Sequence, residues 1–504
     1  MIDYLIKNGL IVDGTNTKPK KSTIGILNNK IITDVTNHSI AKEVIDAKNK
    51  IISPGFIDVH SHDDFKVLSD PKVSHNILQG ITTMIVGNCG FGVAPYDSAK
   101  EQMSALYEIK NSDIKWNNFE DYFGILNNHK MSINVGVLVG HHTIRRYSLN
   151  DLKSPFPTKS EMSKMAAILV EGMESGCLGF STGLVYEPGR YSDTNEIIEL
   201  AKNINKYDGV YVSHMRNEAE GLLDSIIETA NIGLKAEVKV EISHLKSVGK
   251  DNWGNSNQAL DLIDKYSNDG LDIHVDQYPY TARSTMLKAL LLNDTFNYDN
   301  KFSPMGKSTP NEVLLCSVPN ETSLEGKTLE EIQGIYDLPI EETVKKLLSD
   351  ISDKILVAAF GMDETDVRNI LKHKLTMIGT DGIDVGSKPH PRAWGTYPRI
   401  LEEYVNNLSV ISLETAIHKM TKIPATKFGI KNRGEIKHNY FADIVIFDKE
   451  NIKDNSTFTN PKHGPNGIDY VFVNGKESVL NGIEQNVLSG STIRKWTNYK
   501  IKSL

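Results

Sequence analysis

His60-Ser61-His62 closes an apolar run that begins at Phe56. Residues two apart on a strand share a face, so both imidazoles can reach a single ion. Alone the pair says little, since such histidines are more often exposed or satisfied by hydrogen bonds. Four further side chains of ligand type change its weight. Cys89 lies in Val86-Gly87-Asn88-Cys89-Gly90, His214 follows Val212-Ser213, His244 follows Ile242-Ser243, and Asp381 sits in Gly379-Thr380-Asp381-Gly382. Each has an ordinary reading taken singly: a buried cysteine packs as a small hydrophobe, and an aspartate in a turn caps it. Six such groups, each at the end of a strand-like run, read jointly as a metal site.

Ligand type selects the ion. Thiolate with imidazole favours zinc, whereas hard cations want oxygen. Cys89, His214 and His244 supply three ligands and leave the fourth position of a tetrahedron to water. His60, His62 and Asp381 either hold a second, weaker ion or frame that water. Zinc lowers the pKa of a bound water to about 7. Asp381 is then the natural general base, and it can return the proton to a leaving nitrogen. This is the chemistry of amide hydrolysis.

The elements that must position these groups are legible too. The middle of the chain alternates strand-like and helix-like segments, which predicts a parallel sheet with crossover helices. Eight strand candidates are Phe56–His60, Ile81–Val86, Ile133–Val139, Leu178–Ser181, Val210–His214, Val238–His244, Leu271–Gln277 and Leu375–Asp381. Helices are expected at Ser160–Glu174 and Glu218–Ile232, where apolar residues recur three and four apart. Eight such units predict an α/β (β/α)8 TIM-like barrel. His60, Asn88 and Cys89, His141, Ser181, His214, His244, Asp276 and Asp381 collect at the strand ends that carry active sites in that fold. Short strands with turns over the first fifty residues, and again at Ala442–Phe447 and Tyr470–Gly475, predict a small β-sandwich built from both termini. The expected domains are 1–53 with 424–504 for the sandwich and 54–423 for the barrel. An overlong stretch at about 283–350 is expected as an inserted, lid-like segment.

Composition excludes other classes. The 504 residues carry a formal charge of −8, with no basic patch for nucleic acid or an anionic membrane. The Met1-Ile2-Asp3-Tyr4 opening lacks a basic and apolar leader, and no apolar run is long enough to span a bilayer. Cys89, Cys177 and Cys316 are too few for a disulfide framework, which fits a reducing cytoplasm. Cys177 reads as packing and Cys316 as a surface thiol.

With these residues assembled, the chain resembles the amidohydrolase superfamily, and within it the N-acyl-D-amino-acid deacylases, or D-aminoacylases. The likeness spans almost the whole length. It rests on residues 54–64, Gly87-Asn88-Cys89-Gly90, Ser181-Thr182-Gly183-Leu184-Val185-Tyr186-Glu187-Pro188-Gly189 and Ser213-His214-Met215-Arg216. Ser243-His244-Leu245-Lys246, Tyr278-Pro279-Tyr280, Gly379-Thr380-Asp381-Gly382 and His390-Pro391-Arg392 complete it. The resemblance implies that Cys89, His214 and His244 hold a tight zinc, that His60, His62 and Asp381 line a weaker site, and that Asp381 shuttles the proton. It implies that Arg392 forks onto the substrate α-carboxylate, helped by Lys246, Tyr278, Ser284 and Tyr186; guanidinium matches carboxylate bidentately. The implied reaction is hydrolysis of N-acyl-D-amino acids.

Two positions depart from the pattern. Arg283 stands where relatives often have glycine; it either favours an acidic substrate side chain or points into solvent. His142 follows Gly140-His141 where glycine is common, and no role for it can be read. Rival readings are a cyclic-amide hydrolase of the dihydropyrimidinase or dihydroorotase kind, and a non-catalytic scaffold. The first usually carries a carboxylated lysine rather than Cys89, and the second loses ligands that are all present here.

Overall fold

The computed structural model describes residues 1–103, 115–292 and 305–495. Eight parallel strands form its centre: β1 (Phe56–Asp58), β2 (Ile81–Val86), β3 (Asn134–Gly140), β4 (Gly179–Gly183), β5 (Val210–His214), β6 (Lys239–Ile242), β7 (Ile273–Gln277) and β8 (Thr376–Ile378). They pair in sequence order from β1 to β8. Just past β1 and β8 the sheet closes on itself, where Ser61 pairs with Gly382 and Asp381 N donates to His60 O at 2.7 Å. The result is the expected barrel. Its strands read as near-continuous apolar runs because parallel strands are covered on both faces. Ile57, Ile85, Leu138, Val210, Val212 and Met377 form one apolar cluster with Phe428, Ile430 and Ile493.

Crossover helices follow the predicted periodicity, with local chemistry setting their ends. Lys159–Ser175 starts at a reciprocal capping box between Thr158 and Glu161 and stops at left-handed Gly176. The helix expected at Glu218–Ile232 runs instead from Leu222 to Ala236. Asn217 Oδ1 accepts from the backbone N–H of Ala219 and Gly221, so a side-chain turn occupies the first four residues. That delay leaves Glu218 free to face the barrel mouth.

The insertion after β7 is an α/β unit. Ala282–Met286, Leu356–Phe360 and Val313–Ser317 form an antiparallel sheet in that order, and Leu329–Tyr336 and Ile340–Lys346 are helical. Leu287, Val313, Leu315, Leu329, Ile332, Val344 and Val357 give it its own core. Residues 293–304 of the expected segment lie outside the described residues. Cys316 corrects an expectation: it is buried on the Val313–Ser317 edge strand of this sheet, with burial pushing its thiol up to about 12. Cys177 is buried, as read.

Both ends of the chain contribute two further sheets. One orders Lys30–Ile32, Ile24–Leu27, Ile2–Lys7 and Ala41–Asp46; the other joins Leu10–Ile11, Lys20–Lys21 and Ile51–Pro54 to Ile444–Phe447, Ile468–Val473, Lys476–Leu480 and Ile483–Glu484. Ile6, Ile24, Ile26, Ile52, Ile444, Ile446 and Phe472 share one apolar cluster. Beyond them, Thr492–Ile493 pairs in parallel with Val135 and Gly136 of β3. Among the described residues no helix is long and apolar enough to cross a membrane.

Candidate metal centre

All six expected ligands meet at the C-terminal mouth of the barrel. Cys89 Sγ lies 3.3 Å from His60 Nε2, 3.6 Å from His214 Nδ1 and 3.6 Å from His244 Nε2. Asp381 Oδ1 lies 3.1 Å from His62 Nε2 and 3.5 Å from His60 Nε2. Ligand atoms of His60, Cys89, His244 and Asp381 all fall within 4.8 Å of one another, as do those of His214, Glu218 and His244. The donor types fit zinc, and so do the spacings from the Cys89 sulfur to the imidazole nitrogens. An ion about 2.3 Å from sulfur and 2.0–2.1 Å from nitrogen holds the two about 3.6 Å apart at a tetrahedral angle. His60 sits between the two expected groups of three, against the thiol on one side and Asp381 on the other.

The turn carrying Cys89 is built tightly. Gly87 has φ of 86°, and a Cβ there would meet Leu138 O at 2.3 Å, so only glycine lets the loop turn beside β3. Ser181 Oγ accepts from Gly90 N at 3.1 Å and donates to Gly87 O, pinning both sides of the turn to β4. His142, unread in the sequence, belongs to the same support: it bonds Gly183 O at 2.9 Å and fills the space against Gly90 and Gly189. Burial, with His141 beside it, pushes its pKa down to about 3. His141 itself turns from the centre to Glu196, at 2.8 Å.

A second layer orients the ligands. Asp276 Oδ2 lies 3.0 Å from His60 Nδ1, and Glu218 Oε1 lies 3.1 Å from His244 Nδ1. Such carboxylate–imidazole pairs fix the ring and the tautomer of a metal-bound histidine. Glu218 was invisible as a site residue in the sequence; its spacing four after His214 was the available signal. Lys246 Nζ lies 2.5 Å from Glu218 Oε1 and 2.8 Å from His244 Nδ1. Burial resists ionisation of Glu218, but Lys246, His214 and His244 hold its carboxyl well below the usual range.

Charge is arranged for anionic ligands. Burial opposes ionisation of the Cys89 thiol, yet the His60 charge and the hydrogen bonds of His214, His244 and His60 bring it well down. Asp381 is likewise held far below the usual carboxylate range against its burial, by Arg392, His244 and His60. Desolvation lowers the pKa of His62, but the hydrogen bonds and charges of Asp381 and Cys89 together outweigh it and raise the value to about 9.

His62, Cys89, His214, His244 and Asp381 line a cleft of about 540 Å³ with Phe91, Tyr186, Lys246, Tyr278, Ser284, Met286 and Met305. Tyr186 stands with its ring 4.9 Å from that of His214 and its hydroxyl 3.2 Å from Thr285 Oγ1. Arg392 is buried, not a surface residue; it stacks 4.5 Å from the Tyr278 ring and sets Nη1 2.8 Å from Asp381 Oδ2. Arg283 is buried too and lines the cleft, so the solvent alternative fails.

The amidohydrolase family profile matches residues 43–209 and 322–479. The D-aminoacylase of Alcaligenes xylosoxydans xylosoxydans is 34% identical over 94% of this chain and 93% of its own. A crystal structure of D-aminoacylase superposes with a TM-score of 0.87 at 33% identity, covering 98% of this chain and 100% of that one. The N-acyl-D-glutamate deacylase of Bordetella bronchiseptica, solved with zinc and a phosphonate that mimics the tetrahedral intermediate, superposes at 0.88 with 29% identity, covering 98% and 99%. With one barrel, one strand order and one set of mouth residues behind these likenesses, the chain belongs to the amidohydrolase family, in its D-aminoacylase branch.

Proposed function

We propose that this protein is a metal-dependent hydrolase that cleaves the linear amide of N-acyl-D-amino acids to a carboxylate and a free D-amino acid, with zinc as its metal. The observation that carries the reading is the Cys89 thiol ringed by three imidazoles at tetrahedral spacings, beside an ionised Asp381 in a cleft walled by cations. Cys89, His214 and His244 would hold the tight ion; His60, His62 and Asp381 line a weaker site. Bound there, zinc supplies a water of pKa about 7 and polarises the substrate carbonyl. Asp381 accepts the proton at Oδ1 or Oδ2 and returns it to the departing nitrogen, and its depressed pKa keeps it ionised at neutral pH. Asp276 and Glu218 keep the His60 and His244 rings aimed at the centre.

Arg392 takes the α-carboxylate in this reading. Among the described residues none of its guanidinium nitrogens makes a well-directed hydrogen bond, and Tyr278 fixes its plane. Tyr186, Lys246, Tyr278 and Ser284 complete the wall. The insertion acts as a lid, since Ser284, Met286, Met305 and Leu356 close one side of the cleft. The two terminal sheets form the small sandwich, 1–53 with 424–504, on a barrel of 54–423. Three free cysteines support a cytoplasmic home.

The test is primary-amine release from paired N-acetyl-D- and N-acetyl-L-amino acids by zinc-supplied protein. Hydrolysis confined to the D series is expected. A metal-loaded protein silent on every linear substrate, or equally active on both series, overturns the reading.

A further inference from the structure

Arg283 has no counterpart in the roles assigned so far. It lies on the Ala282–Met286 strand of the insertion, 2% exposed, with its side chain on the wall of the metal cleft. Nη2 reaches Ser308 Oγ at 3.3 Å, its single hydrogen bond among the described residues; Nε and Nη1 are buried without one. No carboxylate among the described residues pairs with it. Lys246, the other long cation on that wall, is matched by Glu218 at 2.5 Å, and the buried Arg392 beside the centre is matched by Asp381 at 2.8 Å. Buried guanidinium groups are paired as a rule, because desolvating an unpaired charge is costly. An unpaired one on a cleft wall therefore marks where an anion of the ligand goes.

That anion is a second one. The α-carboxylate has Arg392 stacked on Tyr278 beside the metal ligands, whereas Arg283 shares the cleft wall with Met286, Met305 and Leu356 of the insertion. These apolar neighbours suit the methylenes of a substrate side chain, and the guanidinium fork suits a carboxylate at its end. We propose that Arg283 binds the side-chain carboxylate of the substrate, so that this enzyme prefers N-acyl-D-amino acids with acidic side chains. The inference rests on the deacylase reading above and narrows its substrate class.

The experiment uses the full chain loaded with zinc, as wild type, Arg283→Gly and Arg283→Lys, with N-acetyl derivatives of D-glutamate, D-aspartate, D-leucine and D-methionine. Wild type is expected to favour the acidic pair. Arg283→Gly should lose at least about 30-fold in kcat/KM on that pair while the neutral pair stays within about threefold, and Arg283→Lys should keep part of the acidic rate. Equal losses on both pairs would place the α-carboxylate on Arg283 and overturn the proposal. So would a wild-type preference for neutral substrates that the variants leave unchanged. Calorimetric titration of D-glutamate and D-leucine reads the same contact without turnover. Tighter binding of D-glutamate that Arg283→Gly abolishes supports the proposal even if the deacylase reading fails, and equal affinities in both proteins sink it.

Discussion

Cys89, His244 and Asp381 adopt positive φ, at 53°, 37° and 48°. None is glycine, and such backbone costs of order 1–3 kcal/mol per residue. Three of six proposed ligands share this conformation, so side-chain direction, rather than the local preference of the chain, sets it. The roles of the ligands then separate by mutation. Cys89→Ala should lose zinc and activity together, read by atomic emission on protein purified without added metal, because the thiolate supplies both charge and a ligand. Asp381→Asn should keep substantial zinc while kcat falls about 10²–10⁴-fold, the span of lost acid–base catalysis. A Cys89→Ala protein that stays metallated and active removes the thiol from the centre. The six ligands are legible in the sequence because each type is chemically narrow and ends an apolar run. Glu218 is not, since its work is to touch His244, which is distant in the chain; Asp276 is legible as a strand-end residue, but its bond to His60 is not.

Loops between elements carry most of what the sequence left unread. Strand existence follows from apolar runs, and all eight strands lie where expected. The start of Leu222–Ala236 does not, because a single amide oxygen on Asn217 competes with the helix. Likewise, nothing in residues 383–391 announces that Asp384 fastens the loop after β8. Its carboxylate lies 3.4 Å from Lys66 Nζ and 3.1 Å from Lys462 Nζ, and it accepts from Trp394 Nε1 at 3.0 Å. Against its burial, His75, Lys462, Trp394 and Lys66 lower its pKa from 3.8 to about 2. A folded-state pKa below the unfolded one gives stability that is full above pH 4 and lost as pH falls toward 2. The shift corresponds to about 2 kcal/mol. The stability gap between wild type and Asp384→Asn should stay level from pH 5 to 8 and shrink by about that amount below pH 4, measured by denaturant unfolding. A level gap down to pH 2 would free this loop from the aspartate.

At the scale of the molecule, one buried amide ties three parts together. Asn134 on β3 donates Nδ2 to Thr82 O at 2.9 Å and lies 3.2 Å from Asp443 Oδ2. Its Oδ1 accepts from Asn474 Nδ2 at 2.8 Å and from Ser491 N at 3.1 Å. Asn134→Ala strands several buried partners at once, so a loss of about 3 kcal/mol is expected. Thermal midpoint should fall by several degrees, with kcat per folded molecule unchanged. A midpoint equal to wild type would mean water or a rearranged Ser491 segment serves instead. The joining of chain ends is readable from their strand-rich style. That Thr492–Ile493 also pairs with β3 is not, because a two-residue ladder leaves no pattern.

That short ladder sets an order on biosynthesis. The gap beside Val135 and Gly136 is sealed by residues translated more than 350 positions after β3. At about 5–20 residues per second, a ribosome needs roughly 20–70 s to cover that distance. Throughout it, the N-terminal rim of β3 is an unpaired edge available to chaperones or to a neighbouring nascent chain. The metal mouth, at the opposite end of the strands, closes earlier, once β8 is made. This protein can therefore assemble its chemistry before it has finished protecting its own backbone.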